Sequence, residues 1–226
     1  MTEPVHGLET VSAVLGVPGW WPTGSRVAVA IAHGSASDLK DPLVQALQEH
    51  LTEQKFLTLR FNFPFAEAGK RSSTDSMSVL ERTYLSAISL LGRDPTSAPA
   101  HLFIGGIGLG ARVAAQVATT RVQVDGLFFL AFPLHPQDKP GQSYAQSLYR
   151  IIAPMLFIQG TRDRQCDLGT LRNTLVRVGA PTTLHVSDGA DKNFKVPKKS
   201  PRTPEMVRDE VLATVTTWFE KILNGS

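Results

Sequence analysis

The sequence predicts a single-domain α/β fold: a mostly parallel sheet with helices on both faces and no lid domain. Short β-prone runs recur at residues 26–32, 56–63, 101–104, 126–132, 154–159 and 182–186. Unbroken apolar runs of that length suit strands buried on both faces. Between them lie segments whose apolar residues return every three or four positions, the period of a helix packed on one side. Strands alternating with helices in this way make right-handed βαβ units. A chain of 226 residues is ample for one such core and short for two. Residues 1–226 therefore read as one domain, with 1–25 as an N-terminal extension.

Taken in order, residues 10–21 read as a short strand or hairpin with a turn at Pro18-Gly19. The run at 26–32 ends at His33-Gly34-Ser35. Asp41-Pro42 then opens a helix, with aspartate as N-cap and proline in the first position. Leu43, Leu47 and Leu51 give that helix an apolar face. The strand at 56–63 is followed by a loop, 64–71, and a helix over 76–91 with Met77, Leu80, Tyr84, Ile88 and Leu91 along one side. Ser76 is one candidate cap, and Ser78 with Glu81 would form a capping box. The strand at 101–104 breaks at a glycine cluster into a helix over 111–119. The strand at 126–132 leads into Pro133-Leu134-His135-Pro136 and a polar loop, 137–146. The run at 154–159 stops at Gly160-Thr161-Arg162-Asp163. A helix over 168–178, a strand at 182–186 and a closing helix over 204–223 complete the chain.

Composition narrows the function classes. Apolar residues make up 42% and charged residues 19%, and the net charge is only +3. That is ordinary for a globular protein and not the basic balance of a nucleic-acid binder. Cys166 is the one cysteine, which excludes an intrachain disulfide and fits a reducing compartment. The start, MTEPVHGLET, lacks the pattern of a secretory signal, and no apolar run is long enough to span a bilayer. A soluble, cytoplasmic protein is expected, without membrane or nucleic-acid partners. His135 and His185 lack the spacing of a metal site, and no metal or cofactor is expected.

The chemistry turns on Gly106-Ile107-Gly108-Leu109-Gly110, between a strand and a helix. One option is dinucleotide binding: Gly106-x-Gly108-x-x-Ala111 fits the relaxed glycine fingerprint, and Asp125 stands where a ribose-binding acid is sought. Two buried strands precede the motif, however, and Asp125 comes before a strand and not after one. The other option is the strained strand-to-helix turn G-x-S-x-G that presents a nucleophilic serine, here with glycine in the serine's place.

Further landmarks favour the second option. His33-Gly34, Arg60-Phe61-Asn62-Phe63-Pro64, Glu67-Ala68-Gly69, Gly105-Gly106 and Arg112 occur in order. So do Phe132-Pro133-Leu134-His135-Pro136, Gly160-Thr161-Arg162-Asp163 and Phe194-Lys195-Val196-Pro197-Lys198-Lys199-Ser200. From Val27 onward the chain resembles the small lidless α/β-hydrolases related to dienelactone hydrolase, a family with a eukaryotic chromatin-complex subunit among its relatives. The resemblance implies a Ser-Asp-His triad in chain order. Asp163 stands at the acid position, with the task of orienting the histidine. The nucleophile position falls on Gly108 and the base position on Lys192, within Asp191-Lys192-Asn193-Phe194. Glycine has no attacking atom, and lysine is cationic unless buried. His33, Gly34, Ser35 and Leu109 fall in the region of the oxyanion hole, with His33 shaping the loop through hydrogen bonds and not moving a proton.

These losses predict a catalytically defective hydrolase-fold protein that binds a protein partner or a small ligand in the former active-site cleft. The ligand is expected to be anionic if Lys192 turns into an open cleft. The segment 192–202 carries five cations and reads as a solvated loop or as an electropositive rim. The alternative is an active hydrolase of small esters that uses displaced residues, Cys166 or Ser35 with Asp163. A dinucleotide-binding oxidoreductase is the third option.

Overall fold

The computed structural model describes residues 10–19, 26–70, 72–93, 98–136, 139 and 141–225. Its strands are β1 (Ala13–Gly16), β2 (Val27–Ala32), β3 (Leu57–Phe61), β4 (His101–Ile107), β5 (Gly126–Leu130), β6 (Met155–Gly160) and β7 (Thr182–Ser187). Its helices are α1 (Pro42–Glu53), α2 (Pro64–Glu67), α3 (Met77–Leu91), α4 (Leu109–Val117), α5 (Leu168–Leu175) and α6 (Pro204–Leu223), with a 3₁₀ turn at Ala145–Arg150. The strands form one sheet in the order β1-β3-β2-β4-β5-β6-β7, parallel except for β1.

Two apolar layers enclose the sheet. One joins α3, α4 and α5 to residues such as Ala30, Ile104 and Phe129. The other joins α1 and α6 to Val29, Phe103 and Phe128. Alternate residues of each central strand point into opposite layers, so both faces had to be apolar, as the unbroken runs require. Asp41 caps α1 by accepting from the Leu43 and Val44 amides.

Several boundaries move for tertiary reasons. Of the short strand or hairpin expected at 10–21, the strand is present as β1, which pairs antiparallel with β3 on the sheet's edge. Trp20 and Trp21, part of that expectation, lie outside the described residues. The strand expected at 101–104 continues to Ile107, because β2 and β5 flank its glycines and hold them extended. Ala32 lies opposite Gly106 in that pairing. A Cβ on Gly106 or Gly110 would come 2.3 or 2.5 Å from the Ala32 carbonyl oxygen, so the glycines allow α4 and β2 to meet closely. The loop expected at 64–71 contains the single-turn α2. Ser76 and not Ser78 occupies the N-cap position of α3, so the Ser78–Glu81 capping box does not form; the Ser76 hydroxyl bonds Ser78 Oγ (2.9 Å) and caps no amide.

Tyr84 ties the layers to the centre of the sheet. It is fully buried on α3, and its hydroxyl lies 2.7 Å from Gly105 O and 2.9 Å from Ala30 O while accepting from Gly105 N (2.9 Å). Burial pushes its pKa well above the ordinary phenol value. The hydroxyl thus stays neutral and couples β2 to β4 just before the glycine turn.

Candidate active-site cleft

The chain reverses its direction of travel across the sheet between β2 and β4. In open α/β sheets the crevice beyond the carboxyl ends of such strands is where ligands bind. A cleft of about 860 Å³ lies there, lined by Gly34–Ser37 after β2, by Ile107–Leu109 after β4, and by Lys192–Lys195 after β7.

At its floor the chain turns sharply at Gly108, with φ +54° and ψ −108°. The Gly108 amide donates to Leu130 O (2.8 Å), and its carbonyl accepts from Arg112 N (3.1 Å), so strand and helix clamp the turn from both sides. A Cβ there would meet nothing within 4 Å. The α4 N-terminus has no side-chain cap.

Asp163 follows β6 and is 7% exposed. Its Oδ2 accepts from Gln159 Nε2 (2.6 Å) and its Oδ1 from Gln165 N (2.8 Å). Burial raises its pKa, against the lowering effect of those two hydrogen bonds and of the Lys192 charge, while Asp191 raises it further. Gln159 Oε1 beside it is buried without a hydrogen-bond partner.

The loop after β7 is braced against the acid loop by Thr161 N to Ser187 O (3.1 Å) and Arg162 N to Ala190 O (2.9 Å). Asp191 Oδ1 then accepts from Asn193 N (2.8 Å) and Lys195 N (2.9 Å). Phe194, in a positive-φ conformation, plugs the tight turn into the core beneath. With the turn so anchored, exposed Lys192 and Lys195 both line the cleft. Of the five cations in the basic segment, Lys192, Lys195, Lys198 and Lys199 are exposed. Arg202 turns away to Glu210 and to Asp188 O (2.7 Å), where it braces β7 against α6.

His33 is wholly buried beneath the loop after β2. Its Nδ1 lies 2.8 Å from Gly34 O and its Nε2 accepts from Phe63 N (3.0 Å), which makes Nδ1 the donor to Gly34. Burial holds its pKa below the ordinary imidazole value, against smaller raising effects from Gly34, Asp38 and Asp41. Ser35 is exposed at the rim, and Ser37 Oγ has no partner. Cys166 is buried in the core; burial raises its thiol pKa, and the Asp163 and Asp167 carboxylates raise it further. Gly108, Leu109, Gly34, Ser35 and Lys192 thus line one cleft, whereas Asp163, His33 and Cys166 are buried and none of them lines it.

The dinucleotide option fails on placement. Asp125 precedes β5 and bonds His101 Nδ1 (2.8 Å) and Leu102 N (2.8 Å) at the start of β4. Gly108 is at the other end of β4, roughly 20 Å away at about 3.3 Å per strand residue. An acid there has no access to a ligand at the glycine turn.

A model of the alpha/beta hydrolase domain matches residues 25–220. The chain belongs to the α/β-hydrolase family. Solved structures share the fold at low identity. An alpha-beta serine hydrolase homologue from Coxiella burnetii is 18% identical over 90% of this chain and 91% of its own, with a TM-score of 0.70. A serine hydrolase without a lid from Xanthomonas campestris is 20% identical over 92% and 89%, with a TM-score of 0.66. Dienelactone hydrolase from Anabaena variabilis is 20% identical over 90% and 95%, with a TM-score of 0.65. Among the described residues no helix is long and apolar enough to cross a membrane.

Against that family background, sequence reasoning missed two parts of the cleft wall. Arg112 stands one helical turn after Gly108, a spacing that would have placed it on the face of the turn. Its guanidinium carbon sits 3.6 Å above the centre of the Tyr144 ring. Tyr144 comes from the polar loop, held there by its amide's bond to Leu134 O (2.7 Å); nothing in the local sequence marks it. Glu205 and Arg208, from the first turns of α6, close the far side.

Proposed function

We propose that this protein is a catalytically defective α/β-hydrolase that keeps the cleft as a binding site for a small ligand or a partner segment. The observation that carries this reading is chemical. Among the described residues no histidine lines the cleft, and the turn where the family resemblance puts a nucleophile holds Gly108. The acid expected to orient a catalytic histidine, Asp163, spends its oxygens on Gln159 and Gln165. Lys192, where the resemblance puts the base, is exposed, and lysine is a cation in water. A cationic amine accepts no proton from a hydroxyl, so neither half of nucleophile activation has an agent.

The alternative of displaced catalysis finds no support in the placement of its residues. Cys166 lies in the core with its thiol held neutral. Among the described residues Ser35 has no hydrogen bond to an imidazole or a carboxylate. The test is incubation of the full chain with a fluorophosphonate probe and with p-nitrophenyl acetate. No labelled residue and no burst are expected. Stoichiometric labelling of any serine, abolished when that serine is replaced by alanine, would overturn the proposal.

A further inference from the structure

The cleft is unevenly charged: Arg112, Lys192, Lys195 and Arg208 line it together with Asp41 and Glu205. Three of these charges are already engaged: Asp41 caps α1, Arg208 bonds Asp209 Oδ1 (3.0 Å), and Glu205 lies within reach of the Arg208 charge. Lys192 and Lys195 are exposed, and the Lys192 charge also acts on Asp163. Arg112 differs from both. It is half-buried, its face rests on Tyr144, and among the described residues no carboxylate lies within 4 Å of it. Burial lowers its pKa and Tyr144 raises it, but the group stays a cation in a partly dehydrated site. Leu43, Ile107, Leu109, Pro133 and Pro136 supply apolar lining, beside the uncharged polar side chains of Ser35, Ser37, Gln165 and Asn193.

We infer that the cleft takes a monoanionic carboxylate with an apolar body, its head between Arg112 and Lys192. This rests on the reading of the cleft as a retained ligand site. The ring of Tyr144 covers one face of the guanidinium, and the edge of a guanidinium is the fork that matches a carboxylate with two parallel hydrogen bonds. The uncapped amides at the start of α4 add donors on the same floor. Asp41 and Glu205 in the same lining disfavour a second negative charge. The volume near 860 Å³ is within the range of small-molecule pockets, and its apolar wall favours an acyl or aryl body.

The experiment titrates octanoate, benzoate, their primary amides and octyl phosphate into the full chain, followed by calorimetry and by backbone amide NMR shifts. Each acid is expected to bind at least about tenfold more tightly than its amide and to shift the Leu109 and Lys192 signals. An Arg112→Gln/Lys192→Gln double variant is expected to lose that preference and keep the weak binding of the amides. Equal affinity of acids and amides at the cleft overturns the anionic class while the ligand site stands. Tighter binding of octyl phosphate than of octanoate overturns the monoanion. Shifts from none of the five compounds in the cleft overturn the site itself. Appearance of p-nitrophenol from p-nitrophenyl acetate would instead count against the catalytic defect, independently of the acid-to-amide ratio.

Discussion

Replacing Gly108 by alanine isolates the cost of the turn. At φ +54° and ψ −108° the residue occupies a region that a side chain makes unfavourable by about 1–3 kcal/mol. A Cβ there meets nothing within 4 Å, so strain is the whole effect and no packing is lost. For a chain of this size each kcal/mol moves Tm by about 2–4 °C. Gly108→Ala is therefore expected to lower Tm by about 2–12 °C with the fold intact, measured by calorimetry and by urea unfolding. Gly110→Ala is the comparison. Its Cβ would stand 2.5 Å from Ala32 O and 2.7 Å from Ala32 C, a backbone clash that the sheet relieves only by moving. Its loss is expected to be larger. A Gly108→Ala variant as stable as the parent would refute the strained turn, and one less stable than Gly110→Ala would refute the open floor.

Two further outcomes follow from buried polar groups. Tyr84→Phe removes the hydroxyl that joins Ala30 to Gly105 and leaves their buried backbone groups short of a partner, a loss of about 1–3 kcal/mol. Urea unfolding reads it, and an unchanged midpoint would show that β2 and β4 re-pair without the hydroxyl. Asp163→Asn is expected to raise Tm at pH 7–8. Burial raises the folded-state pKa of Asp163 above its ordinary value, so the folded chain holds that proton more tightly than the unfolded one. Stability is then lost as pH rises through the raised value, and the neutral amide avoids that loss. The introduced amide nitrogen also gives Gln159 Oε1 a donor once the Gln159 amide turns over. Tm measured from pH 4 to 8 should show the gain shrinking towards acid; a gain that grows towards acid would reverse the sign.

Much of the fold was legible because it depends on short-range rules. Runs such as 26–32 and 126–132 are apolar throughout, and only a strand covered on both faces has use for that. Asp41-Pro42 marked the start of α1 by capping chemistry that acts within three residues. Boundaries at glycine were less legible. Gly105 and Gly106 break a strand in isolation, yet they remain extended because β2 and β5 hold both their sides. Likewise, the antiparallel pairing of β1 with β3 is a contact between segments some 45 residues apart, and no local pattern specifies it.

The site divides in the same way. Sequence alone determined which atoms are present: no hydroxyl at Gly108, an amine at Lys192, a carboxylate at Asp163. It also set the strand-to-helix turn that places position 108 at a strand's end. Only the tertiary structure decided what those atoms face. It put Asp125 at the far end of the sheet, Cys166 behind the wall and Tyr144 beneath Arg112. It also left an open cleft in which the Arg112 guanidinium has an aromatic ring and, among the described residues, no carboxylate partner. Chain chemistry is a property of each residue, whereas burial and charge balance arise from segments that meet only when the sheet has formed.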